Sequence, residues 1–195
     1  MSQPRAARKP ARRGLIRAYG LFWRTDELKW ATGSGRRSTL RLLGRLGKKR
    51  NMRVADFRTQ SGVYILYKKN RPYYVGVVWG DRLGNRLRDH LEDRLEGRWD
   101  QFSWFGFRKV VSQKDRNGWS KLGPSVRRSL SMHGLKPSAA IRDMEAVFIR
   151  ALRLSSSQNQ PGFTRATEWV QVTQRESDQL RSDAKTKGRL PRKSR

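Results

Sequence analysis

Arg82, Arg86 and His90 follow one another at four-residue intervals in the stretch 81–96. Residues four apart lie on the same face of an α-helix, so these side chains form one stripe. An arginine offers a planar, permanently charged fork that matches phosphate oxygens, and a histidine can take up a proton near neutral pH. The spacing therefore indicates chemistry on an anionic substrate, with Arg86 stabilising negative charge one turn from His90.

The elements that carry these side chains follow from the hydrophobic pattern. Gly62–Tyr67 and Tyr73–Trp79 are rich in β-branched and aromatic residues, which predicts two strands. The polar residues 68–72 between them, with Pro72 at the end, predict the turn of a hairpin. An apolar residue every fourth position after Gly80 predicts a helix, with leucines at positions 83, 87, 91 and 95.

Several of these residues also form a recognisable set. The chain contains Gly62-Val63-Tyr64, then Tyr74-Val75-Gly76, then Arg86 and His90 in the pattern R-x-x-x-H, then Glu145 in RDMEAVFIRAL and Asn159 in SSSQNQPGF. In this order the set resembles the motifs of the GIY-YIG nucleases, with valine in place of isoleucine in both tripeptides. The resemblance covers residues 61–163.

The resemblance implies an α/β (α+β) fold in which a small central antiparallel three-stranded sheet is flanked by helices. It also implies a metal-dependent endonuclease that hydrolyses phosphodiester bonds. Tyr64 is then the candidate general base, Tyr74 lines the same pocket, Arg86 contacts the scissile phosphate, and His90 positions a tyrosine or takes a proton. Glu145 is the implied ligand of one Mg²⁺ or Mn²⁺ ion. The implied supporting residues are Gly62, Gly76 and Asn159.

The charge of the chain indicates its class of partner. Its 195 residues include 45 Lys and Arg against 16 Asp and Glu, a formal net charge of +29. Such an excess repels itself unless an anion neutralises it, and phosphate neutralisation supplies sequence-independent affinity for nucleic acid. We expect nucleic acid, DNA rather than RNA, and no membrane. The expected phosphate-binding residues near the site are Arg82, Arg88, Lys68, Lys69, Arg71, Lys48, Lys49 and Arg50.

Composition also excludes several classes of site. There are no cysteines, so disulfides, zinc fingers and zinc deaminases are excluded. The two histidines, His90 and His133, are too few for a histidine-rich nuclease centre. No G-x-x-x-x-G-K-[ST] motif is present, and no apolar run approaches bilayer length.

We divide the chain by composition, by its apolar patterns and, for the core, by the extent of the resemblance. Residues 1–13 predict a disordered basic arm, although an organelle transit peptide is an alternative interpretation. Residues 14–60 predict an N-terminal extension that packs on the core, in which Trp23 and Trp30 either pack inside or stack on bases. Residues 61–163 form the nuclease-like core, 164–184 a terminal helix and 185–195 a basic tail.

Four further elements are predicted. Ser38–Leu46 has the apolar spacing of a short helix, and Trp99–Val111 predicts a third strand beside the hairpin. A second helix follows Lys136, with Glu145 bordering its buried side. Thr164–Asp183 predicts a terminal helix. The apolar face of the second helix is predicted to contain Ile141, Met144, Phe148 and Leu152.

Two alternatives to a free-standing nuclease stay open from the sequence. One is a non-catalytic nucleic-acid-binding module on the same fold, and the other is a strand-transfer or repair subunit that cuts within a complex. One carboxylate among so many cations favours the enzyme, because it weakens phosphate binding unless a metal ion sits on it. We expect a cytoplasmic protein of prokaryotic or phage type, nucleoid-associated if bacterial.

Overall fold

The computed structural model describes residues 14–30, 40–47, 52–80, 82–124, 137–152, 163 and 166–187. These residues form a mixed α/β fold with two five-stranded sheets, a two-stranded sheet and three helices. The strands are β1 (Ala18–Arg24), β2 (Lys29–Trp30), β3 (Leu40–Arg41), β4 (Leu43–Leu46), β5 (Arg53–Asp56), β6 (Gly62–Lys68), β7 (Arg71–Val78), β8 (Gln101–Gly106), β9 (Val110–Lys114), β10 (Ser120–Leu122), β11 (Thr167–Glu168) and β12 (Val170–Gln171). The helices are α1 (Leu83–Glu92), α2 (Pro137–Leu152) and α3 (Gln174–Lys187).

The central sheet has the strand order β11-β1-β8-β6-β7. Strand β6 pairs antiparallel with both β7 and β8, as predicted for the hairpin and a third strand. These strands do not make up the small three-stranded sheet that we expected, because β1 pairs with β8 and β11 extends the sheet in parallel to β1. Residues 18–24, which we assigned to an N-terminal extension, therefore belong to the sheet that carries the motifs.

The hairpin β6–β7 is tighter than the predicted polar loop. Lys68 pairs with Arg71, so the turn consists of Lys69 and Asn70. Both have positive φ values, 48° and 65°, as a type I′ turn requires. This turn suits the twist of the flanking strands and extends the pairing of β6 and β7 to their ends.

The second sheet has the order β12-β4-β5-β10-β9. The helix predicted over Ser38–Leu46 was wrong, because the described part of this stretch forms β3 and β4. The leucine spacing is compatible with a helix or with strands. The strand forms at residues 43–46 because β4 pairs with β5 through four residue pairs. The predicted third strand was partly right: it ends at Gly106, and Val110 begins β9 in the other sheet.

Aromatic side chains fill the space between the two sheets. Trp23 packs edge-on against Trp104 at 5.4 Å between ring centroids, and Phe57 lies 4.3 Å from Trp104. Trp169 contacts Phe57 from the C-terminal part of the chain. Trp23 is buried, so its core interpretation is confirmed and stacking on bases is excluded for it. The side chain of Trp30 lies outside the described residues.

Helices α1 and α2 cover opposite faces of the central sheet. Successive side chains of a strand point to opposite faces. Tyr64 and Leu66 of β6 share a buried cluster with Leu87 of α1. Ile65 and Tyr67 share another cluster with Ala151 of α2. Every side chain of the hairpin can thus be assigned to the α1 face or the α2 face.

The apolar face predicted for α2 was wrong at three of its four positions, and the side chain of the fourth, Ile141, lies outside the described residues. Phe148 is 58% exposed, and Met144 and Leu152 are similarly exposed, whereas Ala146 and Ala151 are buried. The small alanines let the helix approach the aromatic surface of the sheet. Asp143 is also buried, and its carboxylate accepts a hydrogen bond of 2.9 Å from the Ile16 amide.

The terminal helix predicted over Thr164–Asp183 was partly right. Helix α3 begins at Gln174, ten residues later than the predicted Thr164, because β11 and β12 precede it. The helix also continues to Lys187, so the first residues of the predicted basic tail 185–195 are helical. Residues 1–13, 188–195 and the loop with Asn159 lie outside the described residues. In the described part of the chain, no helix is long and apolar enough to cross a membrane.

Candidate functional site

Four of the predicted site residues come together on the α1 face of the central sheet. Tyr64 projects from β6, Tyr74 from β7, and Arg86 and His90 from α1. The ring centroids of Tyr64 and Tyr74 are 6.2 Å apart, and those of Tyr74 and His90 are 5.2 Å apart. The helix packs through Leu83 and Leu87, which turns the Arg86–His90 stripe towards the two strands.

Hydrogen bonds connect this cluster. The Tyr64 hydroxyl is 2.7 Å from His90 Nε2. The Arg86 guanidinium lies within hydrogen-bonding reach of both the Tyr64 and the Tyr74 hydroxyl. The phenolic oxygen of Tyr64 is therefore held between a cation and an imidazole nitrogen. We refer to Tyr64, Tyr74, Arg86 and His90 as the tyrosine cluster.

The two predicted supporting glycines in the hairpin make room for close contacts. Gly76 pairs with Tyr64 across the strands, and a Cβ at position 76 would overlap the Tyr64 ring and hydroxyl. A Cβ at Gly62 would overlap the Phe105 carbonyl oxygen of β8. Gly76 therefore allows the Tyr64 side chain to lie flat across β7, and Gly62 allows β8 to approach β6.

The cluster has an outer and an inner layer. Tyr64 has no exposed surface and His90 is 1% exposed, whereas Tyr74 and Arg86 are partly exposed. Burial raises the pKa of Tyr64 to about 12, although the hydrogen bond and the charge of Arg86 work in the opposite direction. Tyr64 therefore holds its proton at neutral pH, and its hydroxyl has no contact with solvent.

The structure adds Asp93, a residue that we did not identify from the sequence. Its carboxylate Oδ2 is 2.8 Å from His90 Nδ1, and its Oδ1 accepts a hydrogen bond of 2.8 Å from the Leu95 amide. Partial burial opposes ionisation, yet the pKa of Asp93 is lowered, because the Leu95 amide, His90 and Arg86 all favour the anion. The available signal in the sequence was an acidic residue three positions after a helical histidine.

Glu145 is not joined to the tyrosine cluster. It lies on α2, which covers the other face of the sheet, and its side chain is exposed. The prediction that it borders the buried side was wrong, because Asp143 and Ala146 take that side. Among the described residues, no hydrogen bond or ion pair links it to the cluster, and no three acidic or histidine side chains group together. An exposed carboxylate is still the type of ligand that one hydrated Mg²⁺ uses.

The predicted phosphate-binding residues fall into three groups. Lys68, Lys69 and Arg71 are exposed around the hairpin turn, and Arg82 is exposed at the start of α1. Arg88 is more buried, and its guanidinium lies 3.7 Å from the Asp89 carboxylate. Lys48, Lys49 and Arg50 lie outside the described residues, as does Asn159.

Comparison with known proteins provides no neighbour for this arrangement. No family model matches the chain, and neither a curated protein nor a solved structure has detectable similarity to it. Its function is therefore inferred from the residues of the cluster themselves.

Proposed function

We propose that this protein is a metal-dependent endonuclease that hydrolyses phosphodiester bonds in nucleic acid, with DNA as the preferred substrate. The observation that carries the proposal is the position of the Tyr64 hydroxyl between His90 Nε2 and the Arg86 guanidinium, with Tyr74 alongside. A phenol, a cation and an imidazole in contact provide a proton donor, a charge stabiliser and a proton acceptor.

Arg86 stabilises the negative charge that develops during phosphodiester hydrolysis. Electrostatic stabilisation of the phosphoryl oxygens is the main demand that this reaction makes on a protein. The guanidinium is partly exposed, so a phosphate can reach it from solvent. Its fork suits bidentate contact with phosphate oxygens, which a lysine cannot reproduce.

Substrate binding also exposes the buried phenol. In the free protein, Arg86 lies against the Tyr64 and Tyr74 hydroxyls. A phosphate competes with these neutral hydroxyls for the guanidinium, since a charge-assisted hydrogen bond is stronger than a neutral one. Movement of Arg86 towards the phosphate uncovers the Tyr64 hydroxyl, which then contacts the attacking water.

Glu145 is the residue that would hold the metal ion implied by this reaction. A divalent ion at the cleaved bond would neutralise charge on the departing oxygen, but Glu145 lies on the helix that covers the opposite face of the sheet from Arg86. The net charge of +29 supports a polyanionic substrate, and the exposed cations Lys68, Lys69 and Arg71 lie at the turn that joins the strands of Tyr64 and Tyr74.

The first test is cleavage of a supercoiled plasmid with Mg²⁺, with Mn²⁺ and with a chelator. Arg86→Ala should lower the cleavage rate by about a hundredfold or more and leave binding nearly unchanged, because one charge among many contributes little to affinity. Arg86→Lys should also fail to cut, since it keeps the charge but not the fork. The matched control is Arg94→Ala, which removes an exposed arginine just beyond α1.

Glu145→Ala tests the metal residue in the same assay, with the exposed Glu96→Ala as its control. We expect loss of metal-dependent cleavage in the first variant alone. The same assay with single-stranded DNA, branched DNA and RNA then identifies the preferred nucleic acid. Equal cleavage by Glu145→Ala and wild type would remove Glu145 from the site.

A non-catalytic nucleic-acid-binding module is the second candidate. It is favoured by the position of Glu145 on the helix that covers the opposite face of the sheet from Tyr64. Tight, salt-dependent binding of all substrates without cleavage under any metal condition would support this alternative against the nuclease.

A further inference from the structure

Asp93, His90 and Tyr64 form a continuous chain of hydrogen bonds. The Asp93 Oδ2–His90 Nδ1 distance is 2.8 Å and the His90 Nε2–Tyr64 hydroxyl distance is 2.7 Å. Asp93 is itself fixed, because its other carboxylate oxygen accepts the Leu95 amide. The imidazole is buried between its two partners, so its orientation is set by them.

The chemistry of the partners determines the direction of each hydrogen bond. An ionised carboxylate only accepts hydrogen bonds, so the proton shared by Asp93 and His90 is on Nδ1. A neutral imidazole with a proton on Nδ1 has a lone pair on Nε2, so the Tyr64 hydroxyl donates to it. The Arg86 guanidinium only donates, and its hydrogen bond and charge favour the anionic form of Tyr64.

We propose that Asp93 is a positioning residue that holds His90 as the Nδ1-protonated tautomer and thereby makes His90 Nε2 the acceptor of the Tyr64 proton. In the proposed step, the O–H bond of Tyr64 breaks and an N–H bond forms at Nε2. The products are a Tyr64 phenolate beside Arg86 and a His90 imidazolium beside Asp93. The inference rests on the proposed nuclease function, which this step serves by supplying the base.

The surroundings favour transfer along this chain over loss of the proton to water. Burial holds the pKa of Tyr64 far above neutral, so bulk water at pH 7 does not remove the proton. Each charge that the transfer creates has an opposite charge next to it, Arg86 for the phenolate and Asp93 for the imidazolium. Tyr74 is the other phenol of the cluster, and its ring lies against both Tyr64 and His90.

The tautomer can be measured without any nuclease activity. Long-range ¹H–¹⁵N NMR distinguishes a protonated from an unprotonated ring nitrogen, and the chain has two histidines, so His133→Gln assigns the signals of His90. We expect Nδ1 to be protonated and Nε2 unprotonated in the neutral ring of the wild type. A proton on Nε2 in the wild type would overturn the proposal.

Asp93→Asn is the variant that reverses this arrangement. Asparagine keeps an oxygen acceptor for the Leu95 amide, which protects the turn after α1, but its amide group donates to His90 Nδ1. We expect the His90 proton to move to Nε2, and Nε2 then donates to Tyr64 and no longer accepts from it. The matched control is Asp89→Asn, which changes an aspartate of α1 that lies next to Arg88. An unchanged His90 tautomer in Asp93→Asn would contradict the proposal.

Cleavage kinetics provide the second readout. Asp93→Asn should lower kcat by about a hundredfold with little change in KM, as expected for the loss of one acid–base group. It should also alter the acidic limb of the pH–rate profile, whereas Asp89→Asn should match wild type in both respects. Asp93→Glu should recover part of kcat. Wild-type kcat with the wild-type pH profile in Asp93→Asn would overturn the role of Asp93.

The two readouts separate this inference from the proposed function. If the wild type does not cut any substrate, the nuclease proposal fails, and the NMR measurement alone decides whether Asp93 sets the tautomer of His90. If the wild type cuts and Asp93→Asn cuts equally well, the nuclease stands and the inference fails.

Discussion

Tyr64 and Tyr67 lie three residues apart on strand β6, and both are fully buried, but they face opposite sides of the central sheet. The Tyr67 hydroxyl donates a hydrogen bond of 3.2 Å to the backbone carbonyl of Ala151 in α2. The Tyr64 hydroxyl contacts the His90 imidazole and the Arg86 guanidinium. A backbone carbonyl can only accept the hydrogen bond of a phenol. An imidazole can also take up the proton of the phenol, and a cation can stabilise the phenolate that remains.

This difference extends to the two faces of the sheet. On the α2 face, Tyr19, Phe105 and Phe163 pack ring against ring, as in an ordinary apolar core. On the α1 face, a polar network is buried next to Leu83 and Leu87. Burial of such groups costs stability unless every one is hydrogen-bonded, so a buried polar network indicates either full satisfaction or a function. Substitutions on opposite faces can separate these two explanations.

The largest contrast is expected between Tyr64→Phe and Tyr67→Phe. Each variant removes one hydroxyl, leaves a buried partner unsatisfied and should lower the free energy of unfolding by about 1–3 kcal/mol. Only Tyr64→Phe should lower the cleavage rate, by about a hundredfold or more, because it removes the proposed base. Urea unfolding and plasmid cleavage of both variants test this, and equal losses of cleavage would remove the distinction between the two faces.

Strand β7 offers the next contrast, between neighbouring positions that face opposite sides. Gly76→Ala places a methyl group where the Tyr64 ring lies, and Tyr64 cannot move without breaking its contacts with His90 and Arg86. We expect a loss of about 1–3 kcal/mol in the free energy of unfolding, together with loss of cleavage. Val75 is 60% exposed on the opposite side, so Val75→Thr should stay within about 0.5 kcal/mol.

The residues of this hairpin also show what the sequence could predict. Alternating β-branched and aromatic residues predicted β6 and β7, and the four-residue leucine period predicted α1, because local pattern and burial agree there. The resemblance predicted one shared pocket for Tyr64, Tyr74, Arg86 and His90, and these four side chains lie together in the structure. Asp93 was missed because its one sequence signal, an acidic residue three positions after a helical histidine, is weak. Its contact with His90 depends on how the chain turns after α1.

The wrong predictions for residues 38–46 and for the buried face of α2 have one physical cause. In both cases the local sequence is compatible with two structures, and tertiary contacts determine which one forms. Leu40, Leu43 and Leu46 fit a helical face as well as two strands, and the presence of β5 as a pairing partner decided for strands. On α2, hydrophobicity predicted that Phe148 is buried, but close approach to the sheet requires small residues such as Ala146. Sequence alone does not show which neighbour a segment will meet.

Helix α2 provides a prediction that tests this explanation. Ala146→Leu adds a bulky side chain to the buried contact with the sheet and should lower the free energy of unfolding by about 1–3 kcal/mol. Phe148→Gln changes an exposed position and should change stability by no more than about 0.5 kcal/mol. Thermal or urea unfolding of both variants measures this. A larger loss in Phe148→Gln than in Ala146→Leu would show that the sequence-based face is the buried one.

The smallest expected effect concerns stability at high pH, where the two faces should behave alike. Burial raises the pKa of Tyr64 to about 12, and burial together with the nearby Glu168 raises the pKa of Tyr19, on the α2 face, to about 12. The unfolded chain then releases these protons at lower pH than the folded protein, so the folded state loses stability as pH rises from about 10 through 12.

Tyr64→Phe and Tyr19→Phe should each make this loss less steep, which urea unfolding at stepped pH values measures. A Tyr64→Phe curve as steep as that of the wild type would mean that the folded protein does not hold the Tyr64 proton more tightly than the unfolded chain. In that case, the need for His90 to accept that proton, and for Asp93 to orient His90, would disappear. The alternative outcome is that both variants show the less steep loss of stability at high pH while Tyr64→Phe alone loses cleavage. This result would mean that the hydrogen-bond partners of each phenol, and not its burial, make the two faces differ in activity.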